Sequence, residues 1–307
     1  MRVLLTIILS LLISFTIISC KRKTDNSTTS IELFVTVGWS GTILTSSDGT
    51  SWTERTSGTS GQLTGVTYGN GLFVTVGYLD NILTSSDGIS WMTERTTGEQ
   101  LNGLNGVTYG NGLFVTVGYS GTILTSSNGI TWTQRYSGTS DTLWGVTYGN
   151  GLFVTVGYSG TILTSSNGIT WTQRYSGTSQ SLFGVTYGNG LFVTVGYSGT
   201  ILISSDGTSW IERTSGTSKW LENVTYGNGL FVTVGGWGTI LTSPEGTTWT
   251  ERTSGTIDTL GGVTYGNGLF VTVGGWSGTI LTSSNGITWT QRETGTSENL
   301  WGLTYSK

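Results

Sequence analysis

Residues 145–174 read GVTYGNGLFVTVGYSGTILTSSNGITWTQR, and this stretch decides the fold. Valine, isoleucine, threonine, tyrosine and tryptophan fill it in short runs, as pleated strands require. The runs are broken by Gly149-Asn150-Gly151 and by Asn167-Gly168, which supply the positive-φ residues of tight hairpins. Four strands follow: A over GVTYG, B over LFVTVG, C over GTILTSS and D over ITWTQR. Working outward, Phe-Val-Thr-Val-Gly begins at Phe34, Phe73, Phe114, Phe153, Phe192, Phe231 and Phe270, mostly at a period of 39 residues. A tryptophan keeps step at Trp52, Trp91, Trp132, Trp171, Trp210, Trp249 and Trp289, and residues 106–140 repeat identically as 145–179. Seven four-stranded antiparallel units are the signature of an all-β, seven-bladed β-propeller.

The phase of the repeat argues that the ring closes. The first copy opens on strand B, at Ile31-Glu32-Leu33-Phe34, and the last ends on strand A, at Gly302-Leu303-Thr304-Tyr305. The C-terminal strand is therefore expected to complete the first blade. An open solenoid would have polar capping repeats at its ends instead. Strand D should be outermost, its edge protected by pairs such as Glu54/Arg55 and Gln173/Arg174. Met92 adds a residue within strand D of the second unit, an expected bulge.

Composition narrows function. The chain of 307 residues has 50 glycines, 10% charged residues, no histidine and a net charge of −4. Nothing in that balance favours a nucleic-acid partner. Without histidine there is no Ser-His-Asp or Cys-His catalysis, and no Ca²⁺ loop motif appears, so neither metal nor cofactor is expected.

Residues 1–20, MRVLLTIILSLLISFTIISC, are apolar up to the one cysteine. Ile17-Ile18-Ser19-Cys20 resembles the lipobox of bacterial lipoproteins, which implies a signal peptide over 1–19 and lipid on Cys20. Residues 21–30 then form a polar tether, and residues 31–307 the propeller. An uncleaved anchor stays open, because Lys21, Arg22 and Lys23 would hold the domain in the cytoplasm. The apolar run is short against the roughly 20 residues a spanning helix needs, which favours cleavage and a lipid-anchored place in the cell envelope.

At the C–D turn, Ser46-Ser47-Asp48-Gly49-Thr50-Ser51-Trp52 resembles the Asp-box (BNR) repeat of sialidases and related propellers. The longer run from Gly41 is similar to photosystem II assembly-factor-like propellers. Asp48 and Trp52 are four apart where that family usually has five, and the acid varies among Asp48, Asp87, Asn128, Asn167, Asp206, Glu245 and Asn285. The resemblance implies a structural turn at these positions rather than catalysis. Sialidase-like hydrolysis would need three arginines converging on a carboxylate. Here Arg55, Arg95, Arg135, Arg174, Arg213, Arg252 and Arg292 share one place on strand D, where a solvated ion ladder is the simpler expectation. The non-repeat acids Asp80, Asp141, Glu222, Asp258 and Glu298 are scattered over different blades.

Differences among the copies gather before strand A and between B and C, whose connections emerge on one face. Those B–C loops carry Trp39, Tyr78, Tyr119, Tyr158, Tyr197, Trp237 and Trp276; the D–A approach adds Trp144, Phe183, Trp220 and Trp301. Aromatics recurring in register commonly pack between blades; presented on loops, they make platforms for sugar or peptide. The expectation is a monomeric, non-enzymatic scaffold binding a glycan or an envelope protein on this face. An assembly factor for a membrane protein complex is the alternative, and a sialidase-like glycoside hydrolase the third.

Overall fold

A computed structural model describes residues 32–78, 81–94, 103–275 and 277–306. The signal segment, Cys20, the tether, Asp80, Arg95 and Trp276 lie outside the described residues. Seven four-stranded antiparallel sheets form the propeller. In the fourth blade, strand A is Leu143–Gly149, B is Leu152–Gly157, C is Ile162–Ser165 and D is Thr172–Arg174. Closure is as the phase requires. Leu300–Ser306 pairs antiparallel with Leu33–Gly38, with Tyr305 opposite Phe34, and Ser306 Oγ accepts from the Leu33 N–H at 3.0 Å. The A strands of successive blades pack side by side in an unbroken ring about the axis.

Strand B explains why the motif is so constant. Phe153 and Thr155 face one neighbouring blade and Val154 and Val156 the other, and all four are fully buried. Each core layer is thus shared by two blades. Val115, Val117 and Ile123 of the third blade pack against Leu143, Val146, Phe153 and Leu163 of the fourth. Complete burial of each such side chain is worth about 1.5–3 kcal/mol. Position B therefore tolerates little change in any copy.

The turns are set by local chemistry. Asn150 and Gly151 both have positive φ, 48° and 75°, as a type I′ hairpin requires. At the C–D turn, Asp48 Oδ1 accepts from the Thr50 and Ser51 N–H groups at 2.8 Å, while Ser46 Oγ accepts from Gly49. Asp87 and Asp206 repeat the arrangement, and Asn128, Asn167 and Asn285 use the amide oxygen for the same bonds. Trp52 Nε1 donates to Gly49 O at 3.2 Å, and its ring meets Phe34 of the same blade.

Two expectations for strand D need correction. The described repeat arginines form no ion ladder. Arg55, Arg135, Arg174, Arg252 and Arg292 each donate from Nε to a strand-C threonine, as Arg174 does to Thr164 at 2.9 Å. The single ion pair among the described residues joins Lys219 to Glu251. In the fifth blade the threonine is replaced by Ile203, opposite Ile211, and Arg213 Nε is buried without a partner. Met92, likewise, makes no bulge. It takes the place opposite Thr84, which slides Glu94 into the position opposite Ile82 that arginine holds elsewhere.

Candidate functional site

The innermost strands begin two residues earlier than the pattern GVTYG indicates, and the difference creates a site. In the fourth blade Leu143 pairs with Gly157 and Gly145 with Val156, so Trp144 is skipped by the ladder. The same bulge recurs in all seven blades. A bulge re-aims one side chain out of the pleat. Its frame is fixed by sequence. The preceding leucine is buried between blades, and the strand-B threonine gives its hydroxyl to the carbonyl just after the bulge, as Thr155 does to Gly145 O at 2.8 Å. Glycine after the bulge lets the blades meet backbone to backbone: a Cβ on Gly145 would lie 2.5 Å from Phe183 O.

The skipped residues are Thr64, Asn105, Trp144, Phe183, Glu222, Gly261 and Trp301. All seven innermost strands line one axial cavity of about 520 Å³ around them, with Gln62, Tyr78 and Asn223. Two of the seven hold blades together. Thr64 Oγ1 donates to Leu104 O at 2.7 Å, and Asn105 Nδ2 to Leu143 O at 2.8 Å. Gly261 leaves room for a ring, since a Cβ there would meet Trp301 Cε3 at 2.7 Å.

The remaining four have no such structural employment. Trp144 Nε1 and Trp301 Nε1 are buried and donate to no described residue. A buried donor without an acceptor costs about 1–3 kcal/mol. Glu222 accepts no hydrogen bond from any described residue, and burial pushes its carboxyl up to about 7. Trp144 stands edge-on to Phe183 at 6.1 Å and to Tyr119 at 5.8 Å. Tyr119 shares a 2.7 Å hydroxyl contact with Tyr78, whose phenol is raised by burial and by that neighbour. Aromatic rings thus run continuously over the second to fifth blades.

The other expected site residues are placed differently. Trp39, Tyr158 and Tyr197 are exposed on the B–C loops, away from the cavity lining. Trp237 is exposed at a left-handed position, φ 57°, where other blades carry Ser40, Ser120, Ser159 or Ser198. It is therefore one step out of register with the tyrosines. Trp220 is half-buried against Gly236, where a Cβ would come within 2.4 Å of its ring. Trp276 lies outside the described residues. Asp141, Asp258 and Glu298 accept from the B–C hydroxyls of Thr161, Thr279 and Ser40, tying the two loops of the face together. Of the described acids, Glu222 alone lines the cavity. Trp144, Phe183 and Trp301 belong to strands rather than loops. Gln62, Asn223 and Gly261 were not singled out by sequence reasoning; the signal was the one position between a constant leucine and a near-constant glycine whose chemistry changes from blade to blade.

No known protein-family profile matches the sequence, and no curated protein matches it. Among solved structures, YCF48 from Cyanidioschyzon merolae superposes with a TM-score of 0.64 at 16% identity, covering 83% of this chain and 96% of that one. A structure described as YCF48 bound to D1 peptide gives 0.61 at 17% identity, over 76% and 81%. A streptogramin B lyase gives 0.65 at 14% identity, over 90% and 94%. At these identities the likeness is one of fold.

Proposed function

We propose that this propeller is a non-enzymatic binding module of the bacterial cell envelope that takes a polar ligand, glycan or protein, into the axial cavity from the D–A/B–C face. The observation that carries this reading is one axial cavity lined by Trp144, Phe183, Trp301 and a Glu222 carboxyl that no described residue pairs, with the Trp144 and Trp301 N–H groups buried and without acceptors among the described residues. Native folds leave few such groups unsatisfied without a reason. The rings around them offer flat apolar faces with polar edges. Against hydrolysis stands the described lining, which holds one carboxyl, where a glycosidase uses two, and no arginine to meet a sialoside carboxylate. Attachment to the envelope through lipid on Cys20 belongs to the same proposal, with loss of palmitate labelling in Cys20→Ala as its check.

The full chain, solubilised in detergent, is to be probed on a glycan array and against envelope extracts, alongside Trp144→Ala and Trp301→Ala. Specific retention by the wild type, reduced at least tenfold in both variants, is expected. Retention indifferent to both substitutions would overturn the reading. A role in assembling a membrane protein complex is the second reading. Its support is the fold likeness to YCF48, one structure of which holds a D1 peptide. Co-purification of a membrane protein from detergent extracts, lost with Trp144→Ala, would favour it over glycan binding.

A further inference from the structure

The seven bulge positions can be read in order around the axis: Trp301, Thr64, Asn105, Trp144, Phe183, Glu222 and Gly261, from the first blade to the seventh. Glu222 has Phe183 on one side. On the other side is Gly261, which makes room for the Trp301 ring. Glu222 therefore stands between a phenylalanine blade and a glycine blade in a cavity lined by aromatic rings, with Trp144 and Trp301 each two blades away. Among the described residues no lysine or arginine lines the cavity, and none pairs with Glu222. Among the described residues no group of three acids could hold a metal ion. An organic cation is the ligand charge this setting favours, through the carboxylate and the negative faces of the rings.

The rest of the lining narrows the class. Gln62 and Asn223 bring amide donors to the cavity together with the rings of Trp144, Phe183 and Trp301. A lysine side chain or a quaternary ammonium brings charge but no acceptor oxygens near it. An amino sugar brings an ammonium together with hydroxyl and ring oxygens, and apolar ring faces for the aromatics. The cavity volume, about 520 Å³, is within the range of about 300–1,000 Å³ typical of small-ligand pockets.

We propose that the axial cavity binds a free amino sugar, with Glu222 taking its ammonium, the Gln62 and Asn223 amides meeting its oxygens and the aromatic rings its apolar faces. This rests on the reading of the cavity as a binding site. Burial of Glu222 supports it, because an incoming cation would hold the carboxyl in its charged form.

The test is calorimetry on the full chain in detergent with four probes: a glucosamine tetramer, the N-acetylglucosamine tetramer, cellotetraose and tetralysine. The glucosamine tetramer is expected to bind at least tenfold tighter than the other three. Glu222→Gln, which keeps size and shape, should abolish that preference, and Trp144→Ala should weaken all binding. A thermal melt of each variant separates lost contacts from lost fold. Equal binding of acetylated and free amine oligomers would overturn the amino-sugar assignment while leaving a glycan-binding cavity in place. Tetralysine binding in preference to the sugars, with the same dependence on Glu222, would overturn it in favour of a basic peptide. If none of the four binds, the assignment falls, and the broader reading rests on the array and extract experiments alone.

Discussion

At the scale of single residues, the repeat contains its own controls. Asp48 and Asp206 are held well below the usual carboxylate range by the N–H groups of the residues that follow them, chiefly Ser51 and Ser209. Asp87 is lowered in the same way by Ser90. Their contribution is present above the unfolded value of 3.8 and is lost as pH falls through the lower folded values. Asparagine makes the same bonds at Asn167 without titrating. The triple variant Asp48→Asn/Asp87→Asn/Asp206→Asn should cost about 0.5 kcal/mol per site at neutral pH. Its acid unfolding midpoint should then lie below that of the wild type. Glu222 has the opposite sign. Folded, it keeps its proton up to about 7 against 4.5 in the unfolded chain, so stability falls as pH rises across that window. The loss is up to about 3 kcal/mol. Melts at about pH 5 and about pH 8 should show it in the wild type and not in Glu222→Gln. The strand-C threonines offer a third comparison. Thr164→Ile strands the Arg174 Nε and should cost about 1–3 kcal/mol. Ile203→Thr restores an acceptor to Arg213 while losing buried apolar surface, and should stay within about 1 kcal/mol of wild type.

At the scale of the element, the bulged inner strand joins fold to site. Its glycine is a packing requirement, not a flexible joint, because Phe183 O would sit 2.5 Å from any Cβ at position 145. Gly145→Ala should cost more than about 3 kcal/mol in a denaturant titration, since backbone on both sides must move. The sixth blade alone has a side chain there, Asn223, whose Oδ1 turns back to the Val224 N–H at 2.7 Å. The strand also marks where sequence reasoning ends. Strands B and C, the Asn-Gly turns and the closing strand were legible because they obey local rules of alternation and turn chemistry. A bulge breaks the period of two, so Leu143-Trp144 looked like the end of a loop, and Trp144, Phe183 and Trp301 were expected there. Trp237 stays on the B–C loop but one step from the tyrosine place, because Gly236 takes that place and the indole takes the serine position. The arginine–threonine bonds were hidden because they depend on register across a hairpin, ten residues apart. Glu222 was visible as an acid outside the repeat, but only the axial position made it unlike Asp141 or Asp258.

At the scale of the molecule, the ring has one covalent break, between Ser306 and Leu33, where every other blade has a Gly-Asn-Gly turn from strand A to strand B. The break is bridged by strand pairing, by the Ser306 hydroxyl and by the Tyr305–Phe34 contact at 4.6 Å. If closure rather than chain connectivity holds the ring, moving the break should matter little and removing the strand should matter greatly. A permutant joining Tyr305 to Leu33 through Gly-Asn-Gly, and opened between Asn189 and Gly190, has the same topology with the break in the fifth blade. It should melt cooperatively, within about 1–2 kcal/mol of the parent domain, because loop length changes closure entropy only slowly. Deleting residues 300–307 instead bares Phe34 and Val35 and leaves the Leu63–Gly69 and Leu260–Gly266 strands without their shared neighbour. That variant should lose its cooperative transition and expose apolar surface to a dye such as ANS. A truncated protein that melts like the full domain would mean that the blades are stable without the ring. The axial cavity would then rest on something other than closure.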